Sequence, residues 1–77
     1  MQRYFFHVMD GRAVVDAIGI ELPDLWAVRL HAIKLASTVL ADLETGLLLG
    51  QPWQMTVADE NSNTVFSLTF SANTHGT

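Results

Sequence analysis

One long apolar helix limits what this chain can fold into. Residues 25–44 contain no glycine or proline, and leucine, alanine and other helix-forming residues dominate them. Pro23 suits the first helical position, and Asp24 suits the positive end of the helix dipole in the first turn. Gly46 suits the left-handed residue that follows a helix. The pattern predicts a helix of about twenty residues, near 30 Å long.

The apolar surface of this helix is wider than one sheet requires. A stripe roughly 100° wide is sufficient to cover a sheet, and it consists of Leu25, Val28, Ala32, Leu35, Ala36, Val39 and Leu43. A second set, which we call the helix flank, widens the apolar arc to on the order of 200°. The helix flank consists of Trp26, Leu30, Ile33 and Leu40. A second covering surface is therefore predicted.

The segment before the helix predicts a β-hairpin. Residues 3–9 alternate with period two, so that Tyr4, Phe6 and Val8 share one face. The turn signal at residues 10–11 is Asp-Gly, the commonest two-residue hairpin loop. A second strand is predicted over residues 13–15, interrupted at 16–17 and resumed over 18–22. Gly19 inside it indicates a bulge or a close backbone approach.

The segment after the helix predicts another hairpin. Residues 53–58 alternate between apolar and other side chains, as in a half-buried strand, and residues 59–63 form a polar turn. The last strand is predicted to face the core with Phe66, Leu68 and Phe70. The order ββαββ predicts an α+β fold, a four-stranded antiparallel sheet with one long helix on one face. We expect the strand order 2-1-3-4. Residues 1–70 form a single domain, and residues 71–77 form a frayed polar tail.

Composition narrows the class of function. There is no cysteine, so disulfides and thiolate chemistry are excluded. No apolar run is long enough for a membrane span, and no secretory signal is recognisable, which makes the cytoplasm the default location. The four basic residues are scattered and the net charge is −4, which disfavours nucleic-acid binding. No cofactor and no metal site is predicted, and we expect no enzymatic activity.

Three groups of polar residues could serve a function, and each also has a purely structural explanation. His7 with Asp10 and Asp16 could serve acid–base chemistry or hold a metal, but a strand histidine bonded locally is the favoured interpretation. His31 is placed on the polar strip of the helix and expected to be solvated. The acidic residues at 59–60 offer carboxylate ligands of the kind that bind calcium, but the twelve-residue loop of a calcium site is missing and a hairpin turn is favoured.

Phe5, His7 and Val65 could form a face of the sheet opposite the helix on which nucleic-acid bases stack.

The N-terminal third resembles a known family. Residues 3–8 (RYFFHV), the Asp-Gly pair at 10–11 and residues 19–25 (GIELPDL) carry the resemblance. The family is a set of small alphaproteobacterial proteins classed as a domain of unknown function. The helix and the loop after it depart from the family pattern, which is usually rich in Ala, Arg and Glu there. The resemblance implies a bacterial cytoplasmic protein with a compact α+β fold, and it assigns no catalytic residue.

Charged residues make up 16% of the chain, against about 25% in typical soluble domains. For so small a domain this indicates that another chain covers apolar surface. We expect the helix flank, together with Leu47, Leu48 and Leu49, to form a self-association surface, most simply in a homodimer. The alternative is that the leucine loop folds over the flank and completes a monomeric core. Docking of a different protein, as by an antitoxin or adaptor, and carriage of an apolar small molecule are the other two hypotheses.

Overall fold

The computed structural model describes residues 1–9, 13–42 and 53–71, and for residues 39–42 it describes the backbone alone. Within these ranges the α+β class and the antiparallel sheet are confirmed, with one helix and five strands. The elements are β1 (Gln2–Met9), β2 (Ala13–Val14), β3 (Ile20–Leu22), α1 (Leu25–Asp42), β4 (Trp53–Ala58) and β5 (Thr64–Phe70). The predicted turn at residues 10–11, Gly46, the leucine loop and the tail beyond Ser71 lie outside the described residues.

The strands β1 and β4 form the centre of the sheet. They pair antiparallel, with Phe6 opposite Val57 and Val8 opposite Met55. On the other side of β4, strand β5 pairs antiparallel, and on the other side of β1 lie both β2 and β3. The first strand and the strand after the helix are therefore neighbours, as the order 2-1-3-4 requires.

The prediction of four strands in the order ββαββ is wrong in one respect, because the second strand is split into β2 and β3. The carboxylate of Asp16 accepts a hydrogen bond from the Phe6 N–H of β1 at 3.0 Å. A side chain thus takes an N–H that a continuous strand would have bonded with its own carbonyl. Gly19 then turns the chain at φ 73°, a left-handed conformation. The observed order is βββαββ.

The core lies between α1 and one face of the sheet. Between residues 25 and 38, the helix contributes short side chains to the fully buried part, at four-residue spacing: Val28, Ala32 and Ala36. The sheet contributes Tyr4, Phe6, Trp53, Met55 and Val57. Of the predicted sheet-facing stripe, Leu25 and Leu35 remain 51% and 37% exposed, while the side chain of Val39 and all of Leu43 lie outside the described residues. Phe66, Leu68 and Phe70 pack against this core as predicted, while Val65 packs there too and not on the opposite face.

The start of α1 differs by one residue from the prediction. Helix α1 begins at Leu25, and Asp24 precedes it as the N-cap, whose Oδ1 accepts a hydrogen bond from the Ala27 N–H at 2.9 Å. Pro23 accordingly lies before the cap and not at the first helical position. A carboxylate at the cap satisfies one of the N–H groups that the first turn leaves free.

Replacing Asp24 with alanine is expected to lower the free energy of unfolding by about 1 kcal/mol, because the Ala27 N–H loses its acceptor. Urea denaturation followed by circular dichroism measures the change. Asp24→Ser is the matched control, since serine also caps helices and should recover most of the loss. Equal stability of the alanine variant and the parent would contradict the assigned cap.

Candidate interaction surface and polar cluster

The outward side of α1 carries large apolar side chains. Trp26 is 64% exposed, Leu30 45% and Ile33 48%. Since each residue turns a helix by about 100°, the spacing of four and three residues places them on one side, away from the buried strip at Val28 and Ala32. The structure thus places this part of the helix flank in solvent. The side chain of Leu40 and all of Leu47, Leu48 and Leu49 lie outside the described residues.

A cation accompanies the aromatic end of this surface. The guanidinium of Arg29 lies over the Trp26 ring, 5.6 Å from its centroid. At an exposed site such a contact contributes about 0.5–1 kcal/mol, because the ring face is electron-rich. It limits the orientations that the indole can adopt, so that one broad face of Trp26 has a partner within its own chain. The sequence contains these two residues one turn apart, but the contact was not predicted.

A second polar centre lies on the sheet, at the edge formed by β2 and β3. The Asp16 carboxylate accepts hydrogen bonds from three backbone N–H groups, those of Phe6, Ile18 and Gly19, each at 3.0 Å. The Asp16 N–H in turn donates to Nδ1 of His7 at 3.0 Å. These bonds fix the segment between β2 and β3 against β1. As predicted, His7 is a strand residue whose ring is hydrogen-bonded within the chain, but the partner lies nine residues away along the sequence.

The electrostatics of Asp16 follow from these bonds. Burial alone would raise the pKa of its carboxyl, but the N–H groups of Gly19, Phe6 and Ile18, together with the nearby His7, outweigh that effect. The pKa therefore lies below its ordinary value and the carboxylate stays ionised near neutrality. Its oxygens are occupied by backbone donors and Nδ1 of His7 is occupied as an acceptor, which is an arrangement suited to holding a loop.

Arg3 joins the same segment to β1 from the opposite end. Its Nη1 donates to the Ile18 carbonyl at 2.9 Å, and its Nη2 lies 3.3 Å from Oε2 of Glu21. Both charged side chains are well exposed, so this ion pair contributes little to stability. Within the described ranges, no group of three histidine, aspartate or glutamate side chains is close enough to hold a metal ion.

Contacts in the structure decide the predictions for His31 and for the acidic residues at 59–60. His31 is not a solvated residue of the polar strip: its ring lies edge-on to Phe6, with centroids 4.8 Å apart, and it is half-buried. Asp59 uses its carboxylate within the hairpin turn, accepting the N–H groups of Asn61 and Asn63 at 2.9 Å. The backbone bond from Asn63 is the main reason that the pKa of Asp59 lies below its ordinary value. The turn interpretation of residues 59–63 is confirmed.

Sequence reasoning missed a second apolar patch beside the polar centre. Val14, Val15 and Ile18 are 53%, 71% and 80% exposed at the outer side of β2 and the segment after it. The sequence shows them as β-prone residues, which is the same signal that buried strand residues give. Burial could not be assigned to them because the interruption at Asp16 places this segment beyond the helix-covered part of the sheet.

Comparison with known proteins identifies a family. In the described part of the chain, no helix is both long and apolar enough to cross a membrane. No curated protein matches the sequence, and no solved structure matches it. A family model described as "Domain of unknown function (DUF6894)" matches residues 3–71, which include the described helix and strands apart from Gln2, the first residue of β1. The chain belongs to this family.

Proposed function

We propose that this protein is a non-catalytic interaction module that self-associates through the helix flank. The observation that carries the proposal is the exposure of Trp26, Leu30 and Ile33 on one side of a helix whose other side is already packed. Exposed apolar residues occurring singly are ordinary, but three in register along a helix form a contiguous patch. Aromatic residues such as Trp26 are enriched at the centres of protein interfaces.

The area of the flank limits the strength of the association. A tryptophan buries up to about 250 Å², so Trp26 at 64% exposure offers roughly 160 Å². Together with Leu30 and Ile33 the patch reaches a few hundred Å², whereas a standard interface covers about 800 Å² on each partner. We therefore expect a weak pair whose population depends on concentration.

A second copy fits this surface by symmetry. When two α1 helices pack antiparallel about a twofold axis near Leu30, Trp26 of one copy lies beside Ile33 of the other. The opposed helix dipoles favour this orientation, and a twofold interface needs the same patch to match itself. The low charge content of the chain, 16%, agrees with apolar surface that a second copy covers.

The absence of a catalytic role is part of the proposal. His7 and Asp16 are the pair of side chains most suited to acid–base chemistry, and both are engaged with backbone groups. Using either in proton transfer would release the segment between β2 and β3. The geometry thus supports a structural role for the pair and leaves the exposed apolar side of α1 as the working surface.

The two tryptophans give a direct test of the flank. Trp26 is exposed and Trp53 is 2% exposed, so a soluble quencher such as iodide acts mainly on Trp26. We expect quenching to decrease as the protein is concentrated a hundredfold, because the second copy covers Trp26. Light scattering should show the average mass rising above 8.5 kDa over the same range.

The matched variants are Leu30→Glu and Thr38→Glu. Both add one negative charge to an exposed position of the same helix, but Thr38 lies outside the helix flank. Leu30→Glu should remove the concentration-dependent protection of Trp26 and weaken association at least tenfold, whereas Thr38→Glu should resemble the parent. Quenching of Trp26 that stays constant over the hundredfold range would overturn the proposal and leave the flank available to a different protein.

A further inference from the structure

The two edges of the sheet are built differently. One edge consists of β2 and β3, of two and three residues, separated by the Asp16 segment and the turn at Gly19. The other edge is β5, which runs for seven residues from Thr64 to Phe70 and pairs with β4 on its inner side. Among the described residues no strand pairs with its outer side. The first edge is interrupted, and the second is continuous.

From Phe66 to Phe70, strand β5 lacks the features that normally prevent edge pairing. Edge strands of natural proteins are short, or carry charged residues, proline or bulges. Residues 64–70, TVFSLTF, contain no charged residue, proline or glycine. A register shift lies at the start of the strand, where Ala58 pairs with Thr64 and Val57 with Phe66. The regular and unprotected stretch is therefore residues 66–70.

We propose that β5 pairs antiparallel with β5 of a second copy of this chain, which joins the two sheets into one of ten strands. The strand matches itself when a twofold axis passes through Ser67. Phe66 then lies opposite Leu68 of the other copy, on the side of the sheet that the helices cover. Ser67 lies opposite Ser67 on the other side, where two hydroxyls can share a hydrogen bond.

Burial along β5 agrees with this arrangement. Phe66, Leu68 and Phe70 pack against the core but are only partly buried, while Ser67 and Thr69 are exposed. The apolar side of the edge thus continues beyond what α1 covers. In the pair, Phe66 and Leu68 lie opposite Leu68 and Phe66 of the second copy and bury each other further, whereas Phe70 lies opposite Thr64.

If a second copy pairs here, charge favours the antiparallel orientation over the parallel one. The turn before β5 holds Asp59 and Glu60, and the net charge of the chain is −4. A parallel pairing would place the two acidic turns side by side. The antiparallel pairing about Ser67 places them at opposite ends of a seven-residue strand, beyond about one Debye length at physiological salt. The β5 edge is separate from the helix flank, so each can associate without the other.

The test uses Leu30→Glu as the background, because this variant removes association through the helix flank. In that background we expect a residual dimer, with alternate amides of β5 exchanging their hydrogens at least tenfold more slowly at high than at low protein concentration. Adding Ser67→Lys places two lysines directly opposite each other and should abolish both the residual dimer and the protection. Gln54→Lys, an exposed residue on the same face of β4, is the matched control and should change neither.

The outcomes separate the two surfaces. Pairing at β5 is overturned if the Leu30→Glu protein stays monomeric up to about 1 mM, which corresponds to a very weak dissociation constant. This outcome leaves the flank proposal standing. A residual dimer in which exchange of the β5 amides is unaffected by concentration or by Ser67→Lys also overturns it. Constant Trp26 quenching in the parent, combined with concentration-dependent β5 protection, would support the β5 edge and refute the flank.

Discussion

Replacing Asp16 with alanine is expected to lower the free energy of unfolding by about 2–4 kcal/mol. Three backbone N–H groups lose their acceptor at once, those of Phe6, Ile18 and Gly19. A hydrogen bond to a charged group contributes about 1.5–3 kcal/mol. Asp16 is half-buried, so water replaces part of what is lost, and the sum is discounted accordingly. A chain of this length has few kcal/mol to spare.

Urea denaturation and amide hydrogen exchange measure this change together. Exchange should accelerate most at Phe6, Ile18 and Gly19 in Asp16→Ala. Asp16→Asn is the control, because its amide keeps one oxygen acceptor of the same size and should lose about half as much stability. A loss below about 0.5 kcal/mol, typical of a plain surface position, with unchanged exchange at Phe6, would contradict the role assigned to this carboxylate.

The stability that the Asp16 carboxylate contributes should depend on pH. Its pKa is lower in the folded chain than the ordinary value of 3.8, so the folded state favours the ionised form. The resulting stability is fully present above the ordinary pKa and is lost as the pH falls through the lower folded value. The difference in unfolding free energy between the parent and Asp16→Ala should therefore be constant near neutrality and shrink below pH 3.8. A difference that grows in acid would contradict the assigned ionisation.

Asp16 also shows why the sequence predicted four strands and the fold has five. The sequence shows the interruption at residues 16–17, and Gly19 predicts a bulge or a close backbone approach, of which the structure shows the close approach. The bond from the Phe6 N–H to the Asp16 carboxylate joins residues ten positions apart. Local propensity carries no information on such a contact, since aspartate favours a turn, a cap or a loop equally. The split of the strand is a tertiary effect.

The helix shows the complementary case. Projection at 100° per residue correctly separated the buried positions at Val28 and Ala32 from the outward position of Trp26. It could not show how close α1 lies to the sheet, which depends on the short side chains in the buried strip. Nor could it place His31, whose edge contact with Phe6 needs the strand opposite. Periodicity thus predicts direction, and packing decides which of the outward residues remain exposed. Self-association of the flank stays a prediction.

Replacing Gly19 with alanine is expected to lower the free energy of unfolding by about 2–4 kcal/mol, for two separable reasons. The residue has φ 73°, where a side chain costs about 1–2 kcal/mol. A Cβ would also lie 2.9 Å from Cδ1 and Cε1 of Phe5 and from Cγ of Arg3. Cγ of Arg3 lies near the backbone end of a side chain whose guanidinium bonds Ile18 and Glu21, and the Phe5 ring is half-buried, so neither neighbour moves away freely. Overlap of this kind typically costs about 1–3 kcal/mol.

Two comparisons separate backbone strain from the steric contact. Gly19→Asn carries the same Cβ but tolerates a positive φ better. It should therefore regain the stability lost to backbone strain but not the stability lost to steric overlap. Gly19→Ala in a Phe5→Leu background should regain most of the stability lost to steric overlap but not that lost to backbone strain. A double-mutant cycle based on urea denaturation measures the coupling between the two substitutions. A single-variant loss below about 0.5 kcal/mol would mean that the segment relaxes freely. In that case the Asp16 bonds could not be holding it against β1, and the Asp16→Ala prediction would fail with it.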